Sequence, residues 1–187
     1  HVDANNTSGT WHYVDDFTSF SMDLPNTAYE YSYTSISCTK NKIPGIWAES
    51  AINSQKVAMS STVTLGYNEE ILKLDPFVEN GISESSMTYI VLPYVSSARE
   101  GVARLGQLID QYGMASAEAC TIADENEAWY FEAYSGHQWA AQKIPNDCYA
   151  FTANSAIIGS IDLGDSENCA HSKDIYSLPA QHNLVVN

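Results

Sequence analysis

The run 97–113 constrains the fold most, because it reads as one amphipathic helix with both ends marked. Ala98, Val102, Leu105, Ile109 and Tyr112 recur at spacings of 4, 3, 4 and 3, which puts them on a single apolar stripe that needs an apolar floor. Ser97-Ala98-Arg99-Glu100 fits a capping box, in which the serine hydroxyl and the glutamate carboxylate satisfy exposed helix-start amides. Gly113 stands where a helix C-cap belongs. A second helix is expected from Ser83 to about Leu92, with Met87, Ile90 and Val91 on one side and Pro93 interrupting it.

The floor is expected from an antiparallel meander on the C-terminal side. Strands are predicted over 117–123, 127–134, 137–144 and 148–152. Turns are predicted at Asp124-Glu125-Asn126, Ser135-Gly136 and Pro145-Asn146-Asp147, where short polar side chains can bond the local backbone. Trp129, Phe131 and Ala133 share one face of their strand by period two. Upstream, 45–64 reads as strand, tight turn at Ile52-Asn53-Ser54-Gln55, and second strand, with Val57, Met59, Ser61 and Val63 on one face. Residues 68–80 read as a loop with a short helical turn stopped by Pro76. Residues 1–45 show little periodicity and are expected to be irregular, apart from an edge strand near 30–34 suggested by Ala28, Glu30, Tyr31 and Tyr33. Two helices beside an antiparallel sheet imply an α+β layered architecture.

The 187 residues suit one domain or part of a larger one. Hydrophobic content of 44% and charged content of 17% fit a packed core. Eight Lys plus Arg against 23 Asp plus Glu give a net charge of −15, which repels phosphate backbones and disfavours nucleic acid as a partner. No apolar run approaches the roughly 20 residues of a membrane-spanning helix. The chain begins at His1 and its first methionine is Met22, which reads as a processed chain or part of something longer. The overlapping sequons Asn5-Asn6-Thr7 and Asn6-Thr7-Ser8 lean toward a secretory or lysosomal origin.

Cys38, Cys120, Cys148 and Cys169 include no Cys-x-x-Cys pair, which disfavours a zinc ribbon or a thioredoxin motif, and they allow three disulfide pairings. His12, His137, His171 and His182 lie far apart without metal-ligand spacing. The acidic run Asp162, Asp165, Glu167 lacks the EF-hand order and reads as a solvated loop. No metal or organic cofactor is expected.

A series of blocks resembles the cysteine dipeptidases of the dipeptidase A type, within the N-terminal-nucleophile hydrolases. The blocks are Leu24-Pro25, Gly45-Ile46-Trp47-Ala48-Glu49, Ile52-Asn53 and Val57-Ala58-Met59-Ser60. They continue with Asp75-Pro76, Gly81-Ile82-Ser83-Glu84, Leu92-Pro93-Tyr94 and Ser97-Ala98-Arg99-Glu100-Gly101. Then come 124–131, Gly136-His137-Gln138-Trp139, Ile144-Pro145-Asn146-Asp147, Ala153-Asn154 and the run 162–168. The resemblance spans about 24–180. It implies an αββα sandwich, two antiparallel sheets face to face with helices outside, of which this chain forms a part. On that reading 1–44 is a lead-in, 45–158 the sandwich core and 159–187 a loop-rich tail of one partial domain.

The resemblance also implies dipeptide hydrolysis by an N-terminal cysteine whose own α-amino group serves as base. That opening segment is not seen here. Cys38-Thr39 superficially resembles such a start, but it falls where the family has a variable loop and lacks the downstream pattern, so a loop or disulfide role is expected. Asn154, in Ala153-Asn154-Ser155, matches the place of an asparagine that donates to a tetrahedral oxyanion from just after a sheet strand. The plainer alternative is an asparagine satisfying a turn. Ser60 and Thr62, beside Ser61, end a strand that by resemblance borders the substrate cleft, the alternative being ordinary sheet hydroxyls. Trp47 and Glu49 read as packing and strand-end residues, and His137 as a surface or sheet-edge histidine.

Two readings follow. In one, the chain is an internal segment of a dipeptidase whose nucleophile lies elsewhere, with a dipeptide as substrate and the rest of the protein or a companion chain as partner. In the other, it is a non-catalytic relative serving as a structural or interaction module. Ala51, where members usually have glycine before Ile-Asn, motivates the second. Part of a sandwich standing alone would expose an apolar sheet face, which more chain or a partner is expected to cover.

Overall fold

The computed structural model describes residues 9–26, 29, 31–40, 43–63 and 66–185. Among them run β1 (Thr10–Val14), β2 (Ser21–Pro25), β3 (Tyr31–Lys40), β4 (Ile43–Asn53) and β5 (Ala58–Val63). The helices α1 (Glu69–Leu74), α2 (Glu84–Val91) and α3 (Ala98–Tyr112) follow. The chain then forms β6 (Glu118–Ala123), β7 (Ala128–Ala133), β8 (Trp139–Ile144), β9 (Cys169–His171) and α4 (Ser177–Gln181). The fold is α+β with antiparallel sheets. Strands β3 to β9 make a seven-stranded sheet whose spatial order is their order in the sequence, and β1 and β2 pair separately as a hairpin.

Register divides the large sheet into two unlike faces. Met59 stands opposite Ile122, which stands opposite Trp129, and Ser61, Cys120 and Phe131 form the next row. These side chains are buried beneath α2 and α3. The stripe of α3 is the other half of that core: Ala98, Val102, Leu105 and Ile109 are all buried. Gly106 lets the helix approach the sheet, because a methyl there would sit 2.5 Å from Cη2 and 2.8 Å from Cε2 of Trp139. That indole stacks on Phe131 at 5.0 Å and donates from Nε1 to Asp110 at 2.9 Å.

The β1–β2 hairpin covers the outer side of the helices. Tyr13 packs against Tyr89, and Phe20 meets Tyr112 edge to face. Buried Asp15 joins the layers, since its carboxylate accepts the backbone N–H of Phe17 and Thr18 and the Ser85 hydroxyl.

The turns are built by side chains that the sequence offers. Asn53 Oδ1 accepts the N–H of Gln55 and Val57, closing the β4–β5 turn, while its Nδ2 donates to the carbonyls of Leu92 and Val95 at 2.8 and 2.7 Å. Asp124 accepts from Asn126 and Glu127 in the β6–β7 turn and, with its other oxygen, from Ala98 at the start of α3. Ser97 caps α3 by accepting the Glu100 N–H, and Gly113 closes the helix at φ 73°. The expected capping box is only half formed, because the Glu100 carboxylate turns to the backbone and hydroxyl of Ser96.

Three other expectations need correction. The lead-in is not irregular: β1, β2 and β3 occupy it, and the strand expected near 30–34 is a ten-residue edge strand, Tyr31–Lys40. Ala28 and Glu30 of that pattern, like both sequons, lie outside the described residues. Cys38, expected in a loop, lies within β3 opposite Gly45. Residues 148–152 form no strand, since the edge of β8 is taken by β9, with Ala140 opposite His171 and Gln142 opposite Cys169. Within that stretch Tyr149 and Phe151 are exposed, 92% and 84% accessible.

Candidate functional site

The second face of the large sheet is more polar than expected, with polar side chains set among small apolar ones such as Ala119, Ala128 and Ala140. Period two turns Ser60 and Thr62 of β5, Thr121 of β6, Tyr130 and Glu132 of β7, and Gln142 of β8 to this side. Ser61, between the first two, turns the other way, is buried and donates weakly to the Glu49 carbonyl at 3.3 Å. Ser60 is exposed.

Residues 152–158 cross this face without joining the sheet, and side chains from two strands hold them. Thr62 Oγ1 donates to Asn154 Oδ1 at 2.6 Å. The Tyr130 hydroxyl lies 3.1 Å from Thr152 Oγ1 and donates to the Ser155 carbonyl at 3.2 Å. Fully buried Glu132 accepts the backbone N–H of Ile157 at 2.5 Å and of Ile158 at 3.1 Å, and the Tyr134 hydroxyl at 2.8 Å. Burial, and the Glu132 carboxylate next to it, push the Tyr134 pKa far up, which keeps that hydroxyl a donor.

Asn154 therefore sits on a bend in a crossing segment, not at the end of a sheet strand as expected. With its carbonyl oxygen taken by Thr62, its amide NH2 is the end oriented to donate. Of the residues singled out from sequence, Thr62 and Asn154 come together directly, and Ser60 lies on the same face of the same strand. Trp47 packs its ring against Phe17 at 5.1 Å, and Glu49 is exposed where β3 and β4 change register.

His137 belongs to a different cluster, at the β7–β8 turn. Its Nδ1 lies 2.8 Å from Asp75 Oδ1 and its N–H donates to Asp75 Oδ2, which also accepts the Ser135 hydroxyl. Burial pushes the Asp75 pKa up, but the hydrogen bonds from Ser135 and His137 outweigh it and leave the carboxyl below its ordinary range. Recesses lie among these elements. One of 230 Å³ is lined by Tyr130, Gln142, Cys148, Ile157 and Ile158, and one of 620 Å³ by Tyr67, Ile71, Tyr134, Gln138 and Ile175.

A family model described as Peptidase family C69 matches residues 2–187. The chain belongs to peptidase family C69. Its relatives within that resemblance include a "Probable dipeptidase" of Latilactobacillus sakei, 40% identical over 92% of this chain and 36% of that protein. A "Probable dipeptidase B" of Streptococcus pyogenes serotype M1 is 42% identical over 83% of this chain and 31% of its own length. A "Probable dipeptidase A" of Streptococcus pyogenes serotype M3 (strain SSI-1) is 39% identical over 88% and 35%. The chain thus spans about a third of the length of the curated relatives it matches.

Ala51, singled out because the resemblance implies glycine before Ile-Asn, is buried in the core opposite Met59. Sequence reasoning missed Tyr130 and Glu132. A signal was present: a carboxylate alternates with Trp129, Phe131 and Ala133 in mid-strand, where period two sends it to the opposite face.

Proposed function

We propose that this chain forms a wall of the substrate cleft in a dipeptidase that cleaves dipeptide amide bonds, the nucleophilic cysteine being supplied from outside these residues. In this reading the chain contributes part of an αββα sandwich and packs within a single domain with the rest of the protein. A cysteine thiolate attacks the carbonyl carbon of the dipeptide, and its α-amino group takes up the thiol proton. The carbonyl oxygen becomes an oxyanion, to which the Asn154 amide donates. Collapse of the tetrahedral species expels the amine with that proton and leaves a thioester, which water hydrolyses to release the second amino acid.

The single observation carrying this reading is the 2.6 Å bond from Thr62 to Asn154, which holds an amide donor in a fixed orientation over a polar sheet face. Membership of peptidase family C69 and relatives named as probable dipeptidases support the substrate class. Ser60 and Thr62 are assigned to the floor on which the dipeptide backbone lies.

The test is hydrolysis of a dipeptide panel by the full-length protein, before and after thiol alkylation. Turnover abolished by alkylation is expected. Turnover indifferent to alkylation would remove the cysteine mechanism, and no turnover on any dipeptide would leave the chain as a structural or interaction module.

A further inference from the structure

We propose that Tyr130 and Glu132 are positioning residues for Asn154, a pair on one strand that holds the crossing segment in place on both sides of the oxyanion donor. The inference rests on the reading of Asn154 given above. Asn154 lies on a bend, so the backbone around it has no ladder of strand hydrogen bonds to fix it. Its place is set instead by the side chains beneath. Tyr130 holds Thr152 and Ser155, two residues before and one residue after the asparagine. Glu132 holds the N–H groups of Ile157 and Ile158.

Tyr130 and Glu132 point the same way because they are two apart in β7, and the register with β6 and β8 locks both faces of that strand. Neither side chain turns toward the helices, where Trp129 and Phe131 fill the core. Glu132 is itself held from behind by Tyr134, so its carboxylate is directed at the segment by a hydrogen bond on each side. A buried carboxylate accepting three donors is a strong, directional clamp. A rotation of the segment that moved the Asn154 amide by about 1 Å would be enough to cost on the order of 100-fold in rate.

The experiment compares Tyr130→Phe and Glu132→Gln with Asn154→Ala in the full-length protein, each singly and each combined with Asn154→Ala. Steady-state kinetics on the preferred dipeptide are measured together with hydrogen exchange of the peptide covering 152–158. Tyr130→Phe and Glu132→Gln are each expected to lower kcat roughly 10- to 100-fold with KM within about threefold. On the Asn154→Ala background the same changes are expected to cost nothing further, because the donor they position is gone.

Exchange in 152–158 is expected to rise at least about tenfold in Glu132→Gln, with the peptides of α3 unchanged. Wild-type kcat in both variants would overturn the proposal, as would losses that multiply with Asn154→Ala. If Glu132→Gln does not fold, Tyr130→Phe, which removes one hydroxyl, decides alone. If Asn154→Ala itself leaves kcat unchanged, the oxyanion reading fails and the positioning role fails with it as a catalytic role. Unchanged exchange in 152–158 then also removes the clamp.

Discussion

The Thr62 hydroxyl donates to Asn154 Oδ1 at 2.6 Å, joining residues 92 positions apart across the polar face of the sheet. On the proposed role of Asn154 as oxyanion donor, Asn154→Ala in the full-length protein is expected to lower kcat by about 10²- to 10³-fold with little change in KM. Thr62→Val keeps the shape of the strand but frees the amide to rotate. Its expected loss is about tenfold, the scale of one net hydrogen bond. Steady-state kinetics on one dipeptide check both.

Asn53 uses both ends of its side chain while buried, accepting two backbone N–H groups and donating to two carbonyls. Asn53→Ala strands four backbone groups at the junction of the β4–β5 turn and the end of α2. The expected destabilisation is about 3 kcal/mol or more. Asn53→Asp is expected to do no better, since a carboxylate would face the carbonyls of Leu92 and Val95. Urea denaturation measures both through the midpoint at unchanged slope.

Asp75 carries a pH signature. Its folded pKa lies below the ordinary value, because hydrogen bonds from Ser135 and His137 outweigh the burial that opposes them. A depressed carboxyl pKa stabilises the fold fully above the unfolded value of about 3.9 and loses that contribution as pH falls through the lower folded value. Asp75→Asn is therefore expected to be destabilised at neutral pH by about 1–3 kcal/mol. Its gap from the wild type should close as the pH is lowered through that acidic window. Thermal melts over an acidic pH series provide the comparison.

Gly106→Ala sets helix propensity against packing. Alanine favours a helix interior by about 1 kcal/mol. The added methyl, however, meets the Trp139 indole, which is held by its stack on Phe131 and its bond to Asp110. Overpacking of this kind costs about 1–3 kcal/mol or more, so a net lower melting temperature is expected, accompanied by a change in tryptophan fluorescence.

The thiols differ in reach. Cys148 is exposed, whereas Cys120 is fully buried and its pKa is pushed far up by burial and by the nearby Glu118. Brief iodoacetamide treatment of the folded protein is expected to label Cys148 and spare Cys120, as peptide mass mapping would show. Cys148→Ser then separates labelling of this surface thiol from labelling of a nucleophile in the activity test.

What the sequence made legible was the core face. The α3 stripe, the Gly113 stop, the Asn53 turn and the alternation of Met59, Trp129 and Phe131 all recur in the structure, because burial imposes a period that residue type reports. The polar strands were harder. In β2 the alternation of Met22 and Leu24 with Ser21 and Asp23 was present but short, and Ser, Thr and Tyr dominate β3, so neither stood out from loop composition. The strand predicted over 148–152 failed in the opposite direction, since Tyr149 and Phe151 there are exposed and unpaired with the sheet. At the candidate site, Thr62 and Asn154 were found by resemblance. Their contact was not legible, since it depends on a segment crossing the sheet, which no local pattern records. Tyr130 and Glu132 were readable only once the register had fixed which face they occupy.

The large sheet is wound in sequence order, so forming it asks for short loop closures almost everywhere. Two excursions break that economy, one from Val63 to Glu118 and one from Ile144 to Cys169. The first builds the helices and the second carries Asn154. Loop-closure entropy rises only slowly with length, so lengthening the second excursion adds little to the cost of closing β8 on β9. A change of length in the segment that carries Asn154 therefore costs the sheet little, because the strands on either side keep their own short connections.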